Sequence, residues 1–325
     1  EEAIAVLKEK GIDNPLEKEV KKSVPQACGC PGAKMMDLRN KSAGKSGHKV
    51  ELESELRQWP VQMHLVPPNA PYFKNSDVFA EEKDRYLTDK LTDETVRFID
   101  QYNKDQPFMI SLWYYTVHGP HDGREELVKH FQSKGLTGRR AHYVAMVKSM
   151  DESVGRIRAA LSKKGIEDNT IVIFLSDQGS YFDNPPFHGG KRVDTLYEGG
   201  ARVPLLVHWP GVARAGVKNN SIVQSTDLFP TLVEIAGGDP ANYRDLDGVS
   251  LLSTIKKNDL LDRGQPIFGY RAYEDLYASV RSGDWKLLAY RSGATKLFNI
   301  ANDIKERNDL SQAHPATLNE LVEHL

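Results

Sequence analysis

Cysteine is nearly absent from the chain: Cys28 and Cys30 are the only two, and a pair separated by one residue cannot build a disulfide framework. The redox compartment is therefore not legible from sulfur. No stretch approaches the roughly 18 to 20 consecutive apolar residues that a membrane-spanning helix requires, so no membrane span is expected. Long blocks of like charge are missing, and no basic stretch interleaves with aromatics, which excludes the usual signature of a nucleic-acid surface. Glu1, Glu2 and Ala3 carry none of the basic and apolar pattern of a leader peptide, and no initiator Met precedes them. Such a start is expected of a processed or truncated chain.

What is present is ordinary for a globular protein. Of 325 residues, 39% are apolar, and 43 basic against 45 acidic side chains leave a net charge of −2. One large domain with a smaller appendage is the expectation.

Along the chain, residues 1–80 carry a Lys/Glu-rich helical start, a Gly/Ser/Lys-rich stretch (29–48) and a Pro-rich stretch (60–71), and read as irregular, insert-like surface structure. From Tyr86 the pattern tightens, because Leu87, Leu91, Phe98 and Ile99 share one face of a helix that ends before Pro107. Residues 108–117 then form a continuously apolar and aromatic strand that stops at His118-Gly119-Pro120-His121. Val147, Met150, Val154, Ile157 and Leu161, alternately three and four apart, predict a second helix stopped by Gly165. Residues 170–175 predict another buried strand, ending at Ser176-Asp177-Gln178-Gly179, and residues 203–209 a further one.

Alternation of strand, helix and strand predicts an α/β fold with a mostly parallel sheet sandwiched by helices, in which ligands gather at the carboxyl ends of the strands. Residues 227–236 read as a short helix closed by Gly237-Gly238. Beyond about residue 262 the grammar changes to short strands (277–281, 285–290, 296–300) separated by Ser-Gly turns, with a terminal helix from Pro315. The expected division is an α/β domain over 1–262 and a small antiparallel subdomain over 263–325.

Three groups of residues could carry chemistry. Asp177 and Gln178 place a carboxylate and an amide oxygen side by side at a strand end, a donor pair that suits a hard cation such as calcium better than zinc, though two oxygens are only half a site. The alternative is that Asp177 caps a turn and Gln178 is solvated. His118 and His121 could bind an anion, donate a proton or ligate a metal, or be ordinary surface histidines. Lys191 and Arg192, after His188-Gly189-Gly190, could close over a tetrahedral anion, or lie in a solvated loop. Gly199 and Gly200 permit unusual backbone angles before the next strand and read as architecture.

Taken in order, these pieces form a pattern. Residues 169–179, then Gly190-Lys191, then Tyr197-Glu198-Gly199-Gly200-Ala201-Arg202-Val203-Pro204 and Trp209-Pro210-Gly211 closely resemble the type I, formylglycine-dependent sulfatases of the alkaline phosphatase superfamily. The likeness extends upstream to Tyr86-Leu87-Thr88-Asp89 and to residues 107–120, and downstream through residues 225–231, 281–286 and 297–299. It covers about 85–325; residues 1–75 carry no recognisable part of it.

That resemblance implies hydrolysis of a sulfate ester on a sulfated small molecule or glycan, with Asp177 and Gln178 as two calcium ligands. His118 would protonate the leaving oxygen, and Lys191 would stabilise charge on the sulfuryl group, with Arg192 as an alternative contact. It also implies an alkaline phosphatase-like sheet and a periplasmic or extracellular setting. Two departures stand out. Lys191 lies six residues before Tyr197, where many relatives have four, and no Cys/Ser-x-Pro/Ala-x-Arg motif for formylglycine occurs. The early paired aspartates and a Gly-Lys-x-His segment are missing as well, so an incomplete fold, half the metal ligands and a chain inactive by itself are expected. A phosphatase or phosphodiesterase of the same superfamily, or a non-catalytic binding protein, are the alternatives.

Overall fold

The structure, a computed structural model, describes residues 61–65, 86–192, 194–271 and 275–325. The helical start, the Gly/Ser/Lys-rich stretch and both cysteines lie outside the described residues. The chain divides into two compact units, Glu1–Ala160 and Leu161–Leu325.

In the first unit, β1 (Val61–Leu65) and β2 (Phe108–Leu112) pair in parallel, joined through α1 (Leu87–Gln101). Finding a strand at 61–65 corrects the reading of that Pro-rich stretch as irregular. α1 buries Leu91 and Ile99 as their spacing predicts, together with Thr88, Thr92 and Thr95. The buried hydroxyls are satisfied within the helix, Thr92 donating to the Thr88 carbonyl at 2.7 Å and Thr95 to that of Leu91 at 2.8 Å. Phe98, Tyr102 and Phe108 then pack ring against ring, with centroids 5.0 to 5.5 Å apart, and fix the turn from helix to strand.

β2 is shorter than its apolar run, ending at Leu112. Beyond it the aromatic side chains serve other contacts: Tyr114 reaches Thr92 at 2.8 Å, and the Tyr115 carbonyl accepts from the His118 N–H at 2.9 Å in a turn. Two further helices follow, α2 (Glu125–Ser133) and α3 (Gly138–Lys163). α3 stands where expected, but its most buried side chains are small: Ala141, Ala145, Ser149 and Ser153, four apart, whereas Val147 is exposed. Close approach is the cause, since a Cβ on Gly123 would meet the Ala145 Cβ at 2.6 Å and the His142 carbonyl at 2.9 Å. Arg124 pairs with Glu152 on α3 and lies 3.8 Å from Asp89 on α1, while Arg156 bonds Asp93, so charge ties the two helices together.

The second unit opens with β3 (Val172–Leu175), followed by the one-turn α4 (Glu198–Ala201) and β4 (Leu205–His208). β4 runs antiparallel to β3, an exception to the parallel pairing expected. The connecting chain leaves and returns at the same end of the pair, Leu175 opposite Leu205, so the two strands must run in opposite directions. α5 (Leu228–Ile235) and α6 (Leu252–Lys257) are anchored by Asp227, fully buried, which accepts from the Gln224 and Val249 N–H groups at 2.7 and 2.9 Å and pairs with Arg263.

The antiparallel sheet then appears with one more strand than its turns foretold, in the order β5 (Ile267–Tyr270), β6 (Leu276–Ser282), β7 (Trp285–Tyr290), β8 (Thr295–Asn299), followed by α7 (Pro315–Val322). Its side chains alternate between two covers. Val280, Leu287 and Leu297 meet Leu318 and Leu321 of α7, whereas Leu276, Leu288 and Phe298 meet Leu196 and Tyr197. Each such fully buried side chain contributes about 1.5 to 3 kcal/mol. The boundary expected near residue 262 thus lies inside the second unit, where residues 196–198 pack on the sheet.

One ionic contact secures that packing. Lys286 on β7, 3% exposed, lies 2.9 Å from a carboxylate oxygen of Glu198 and 2.9 Å from one of Glu306, and Glu306 also accepts the Glu198 backbone N–H at 2.7 Å. Burial pushes the Glu198 carboxyl up, but Lys286, Arg281 and Arg202 outweigh it and hold it below the usual range. For Glu306 burial wins, and its carboxyl sits above the usual range. The Glu198 contribution is therefore lost as pH falls, whereas Glu306 costs stability as pH rises from the ordinary carboxyl value towards its raised one.

Lys286→Met leaves two carboxylates facing each other without a cation, and should lower stability at pH 7 by about 3 to 5 kcal/mol in urea unfolding. The deficit should shrink as pH falls and the carboxyls, no longer facing a cation in the variant, protonate. A loss below about 1 kcal/mol at pH 7 would contradict the arrangement.

Candidate functional site

Of the six residues singled out in the sequence, four are brought into one neighbourhood of the second unit. Asp177 and Gln178 follow β3 directly, and the Gln178 amide N–H donates to Asp177 Oδ2 at 3.3 Å, so the two side chains stand together at the strand end. Asp177 is exposed and Gln178 half-buried. The Ser176 hydroxyl donates to the Gln178 carbonyl at 3.0 Å and tightens this turn.

Backbone hydrogen bonds fasten that turn to two other segments. Gly179 N–H donates to the Gly200 carbonyl at 2.9 Å, Lys191 N–H to the Ser180 carbonyl at 2.9 Å, and Gly199 N–H to the His188 carbonyl at 2.6 Å. Three segments of main chain interlock here, and glycine makes it possible. A Cβ on Gly179 would fall 1.9 Å from the Gly199 oxygen, and one on Gly199 would fall 2.2 Å from the Gly189 oxygen. The glycines around Tyr197-Glu198-Gly199-Gly200 are architectural, as their pattern implied, and what they build is the platform beneath Lys191.

The cations of this loop share one ring. Lys191 Nζ lies 5.0 Å from the centroid of Tyr181 and the Arg192 guanidinium carbon 4.9 Å, so one aromatic face steadies both. The six-residue interval from Lys191 to Tyr197 also has a visible fastening. His188 Nε2 lies 3.2 Å from Asp194 Oδ2, and its ring stacks on Tyr197 at 4.2 Å and 17°. Asp194 adopts φ +53°, and its carbonyl accepts the Tyr197 N–H at 3.0 Å. Burial drives the Tyr197 phenol up, and its hydroxyl meets Tyr290 at 3.0 Å and Lys296 at 3.2 Å. Tyr181, His188 and Asp194 were not marked by the sequence, because their partners are contacts across a loop rather than a spacing.

The other two, His118 and His121, belong to the first unit. The His118 Nδ1 lies 2.6 Å from the Gly119 carbonyl, which can only accept, so Nδ1 carries the proton in this contact. His121 of the same turn is held differently, edge-on to Tyr143 at 5.5 Å and 3.5 Å from Arg139, both on α3.

Asp177 and Gln178 have the hard oxygen chemistry that calcium prefers, yet such an ion takes about six to eight oxygens. No group of three or more His, Cys, Asp or Glu residues able to hold a metal occurs among the described residues. The pair fits part of a coordination shell.

Chemically, the second unit offers two oxygen donors and two cations on a rigid loop set, suited to an anion with several oxygens. Comparisons with known proteins identify the family. Residues 40–238 match the sulfatase family model, and residues 188–325 match that of the N-sulphoglucosamine sulphohydrolase C-terminal region. The match begins at residue 40, which corrects the view that residues 1–75 carry nothing recognisable. A sulfatase of Formosa agariphila is 31% identical over 272 residues, covering 74% of this chain and 49% of that protein. The N-acetylgalactosamine-6-sulfatase of Mus musculus is 33% identical over 221 residues, covering 63% of this chain and 41% of that protein. The chain thus spans about half the length, or less, of these relatives. Among solved structures, Ps i-CgsB in complex with k-i-k-neocarrahexaose superposes with a TM-score of 0.69 at 34% identity, over 74% of this chain and 54% of that one.

Gly199→Ala should push the His188–Gly190 and Glu198–Gly200 backbones apart and cost about 1 to 3 kcal/mol in urea unfolding. Wild-type stability in that variant would mean that the three segments do not interlock.

Proposed function

The chain belongs to the sulfatase family, and from that premise we propose that the protein hydrolyses sulfate esters, acting on a sulfated glycan or a sulfated small molecule. The observation that carries the reading is the glycine-built interlock that sets Asp177-Gln178 and Lys191-Arg192 on one loop framework. A sulfate ester presents three peripheral oxygens and one bridging oxygen. Lys191 stabilises the charge that grows on the peripheral oxygens, and Arg192, steadied by the same ring, is the neighbouring cation. His118 gives its Nε2 proton to the bridging oxygen as the bond to sulfur breaks.

Asp177 and Gln178 supply two of the oxygen donors for calcium, which when bound neutralises sulfate charge. Formylglycine supplies the nucleophile in the family, and no motif for it occurs in these 325 residues. Gln178 favours calcium, and hence sulfate, over the zinc pair of a phosphatase, because an amide oxygen is a poor zinc ligand. Relatives acting on carbohydrate sulfates support a glycan: one is an N-acetylgalactosamine-6-sulfatase, and Ps i-CgsB was solved with a neocarrahexaose. A periplasmic or extracellular setting accords with such a substrate.

In the protein carrying its full catalytic apparatus, Lys191→Ala should lower kcat for sulfate release by about 10²- to 10³-fold without lowering Tm. His118→Ala should lose about 10²- to 10⁴-fold on a sugar sulfate but much less on nitrophenyl sulfate, whose leaving oxygen needs no proton. Equal losses on both esters would remove His118 from the acid role, and zinc-dependent phosphate release without sulfate release would overturn the sulfatase reading.

A further inference from the structure

A cleft of about 390 Å³ opens within the unit Leu161–Leu325, walled by His188 and Tyr197 and, facing them, by Lys296, Glu306, Arg307 and Asp309. Its volume is within the roughly 300 to 1,000 Å³ of small-molecule sites, and suits a sugar residue better than a peptide segment.

The two carboxylates in its wall are already engaged. Glu306 faces Lys286 at 2.9 Å and accepts the Glu198 N–H at 2.7 Å. Asp309 Oδ1 accepts the Leu297 and Ser311 N–H groups at 3.1 and 2.9 Å.

The cations are less committed. Lys296 donates to the Tyr197 hydroxyl at 3.2 Å and also bonds the Tyr290 hydroxyl, keeping one of its three N–H bonds for a ligand. Arg307 is exposed and makes no ion pair among the described residues, so its guanidinium fork is available to a sulfate or carboxylate. Tyr197, whose hydroxyl meets that of Tyr290 at 3.0 Å, lines the cleft, and behind it the Tyr290 ring lies 5.6 Å from the Lys296 ammonium and steadies it. His188 belongs both to this wall and to the loop that carries Lys191 three residues later, so the cleft borders the proposed sulfate contacts through one short segment.

We propose that this cleft is a subsite for a second anionic group, the sulfate or carboxylate of a neighbouring sugar, held by Lys296 and Arg307. The proposal rests on the sulfate-ester reading and narrows it: the substrate is an oligosaccharide with an anionic group on at least two residues, rather than a lone sulfated sugar.

Calorimetric titration of the full-length protein tests this with three probes: a chondroitin 6-sulfate tetrasaccharide, a carrageenan tetrasaccharide bearing sulfate alone, and N-acetylgalactosamine 6-sulfate. Lys296→Gln with Arg307→Gln should weaken the tetrasaccharides roughly tenfold or more and leave the monosaccharide unchanged. Arg307→Gln alone, at an exposed position where folding is not at stake, should give part of that loss. A loss confined to the chondroitin probe assigns the cleft to carboxylate, and a loss on both tetrasaccharides assigns it to sulfate. Equal weakening of all three probes, no weakening, or no tetrasaccharide binding by the unaltered protein overturns the proposal. If sulfate is released from nitrophenyl sulfate while tetrasaccharide binding ignores the pair, the subsite fails and the hydrolase reading stands. If binding depends on the pair and no ester is cleaved, the subsite stands alone.

Discussion

A lysine ammonium buried between two carboxylates is the contact on which the second unit depends. Lys286 is one of the least exposed charged side chains described, and its partners come from two places far apart in sequence, Glu198 in the one-turn α4 and Glu306 after the last strand. Taking such groups out of water is costly unless each is matched, so the sheet, the α4 turn and the 306 segment must arrive together. The cover of Leu196 and Tyr197 over Leu276, Leu288 and Phe298 is the apolar half of the same junction.

The loop chemistry is built outward from that junction. Once Glu198 is fixed, Gly199 and Gly200 present their backbone to His188 and Gly179, and those contacts seat the Asp177 turn and the Lys191 loop. Main-chain hydrogen bonds at such close approach leave no room for a Cβ, which is why five glycines, at 179, 189, 190, 199 and 200, crowd one small region. Rigidity of this sort is what anion recognition needs, because cations on free loops would lose much of their binding energy to ordering. The Tyr181 ring beneath Lys191 and Arg192, and the His188 to Asp194 contact, restrain the side chains in the same way.

Legibility from sequence followed the physics of each element. α1 and the strands β6 to β8 were visible because burial on one face imposes a period of 3.6 or 2, and the observed bounds lie within a few residues of those expected. β2 was overestimated, since the aromatic residues after Leu112 leave the sheet: Trp113 and Tyr115 are exposed, and the half-buried Tyr114 reaches α1 through its hydroxyl. For α3 the helix was legible but its face was not. Small side chains mark close approach, and approach depends on a turn around Gly123 that lies outside the helix. Antiparallel pairing of β4 with β3 depended on where a 29-residue connection returns, which no local pattern encodes.

For the site, the order of the motifs and their resemblance to a known family singled out Asp177, Gln178, His118, Lys191 and Arg192, while periodicity indicated the α/β class and the small antiparallel sheet. Those properties are local, since turn chemistry, periodicity and donor type are carried by neighbouring residues. The fold decided which segments lie against one another: that Lys191 is tied to Ser180, that His188 reaches Asp194 and Tyr197, and that Lys296 and Arg307 share a cleft with His188 and Tyr197. Contacts between residues a hundred positions apart arise from burying charge and apolar surface together. Such a balance exists only in the assembled chain.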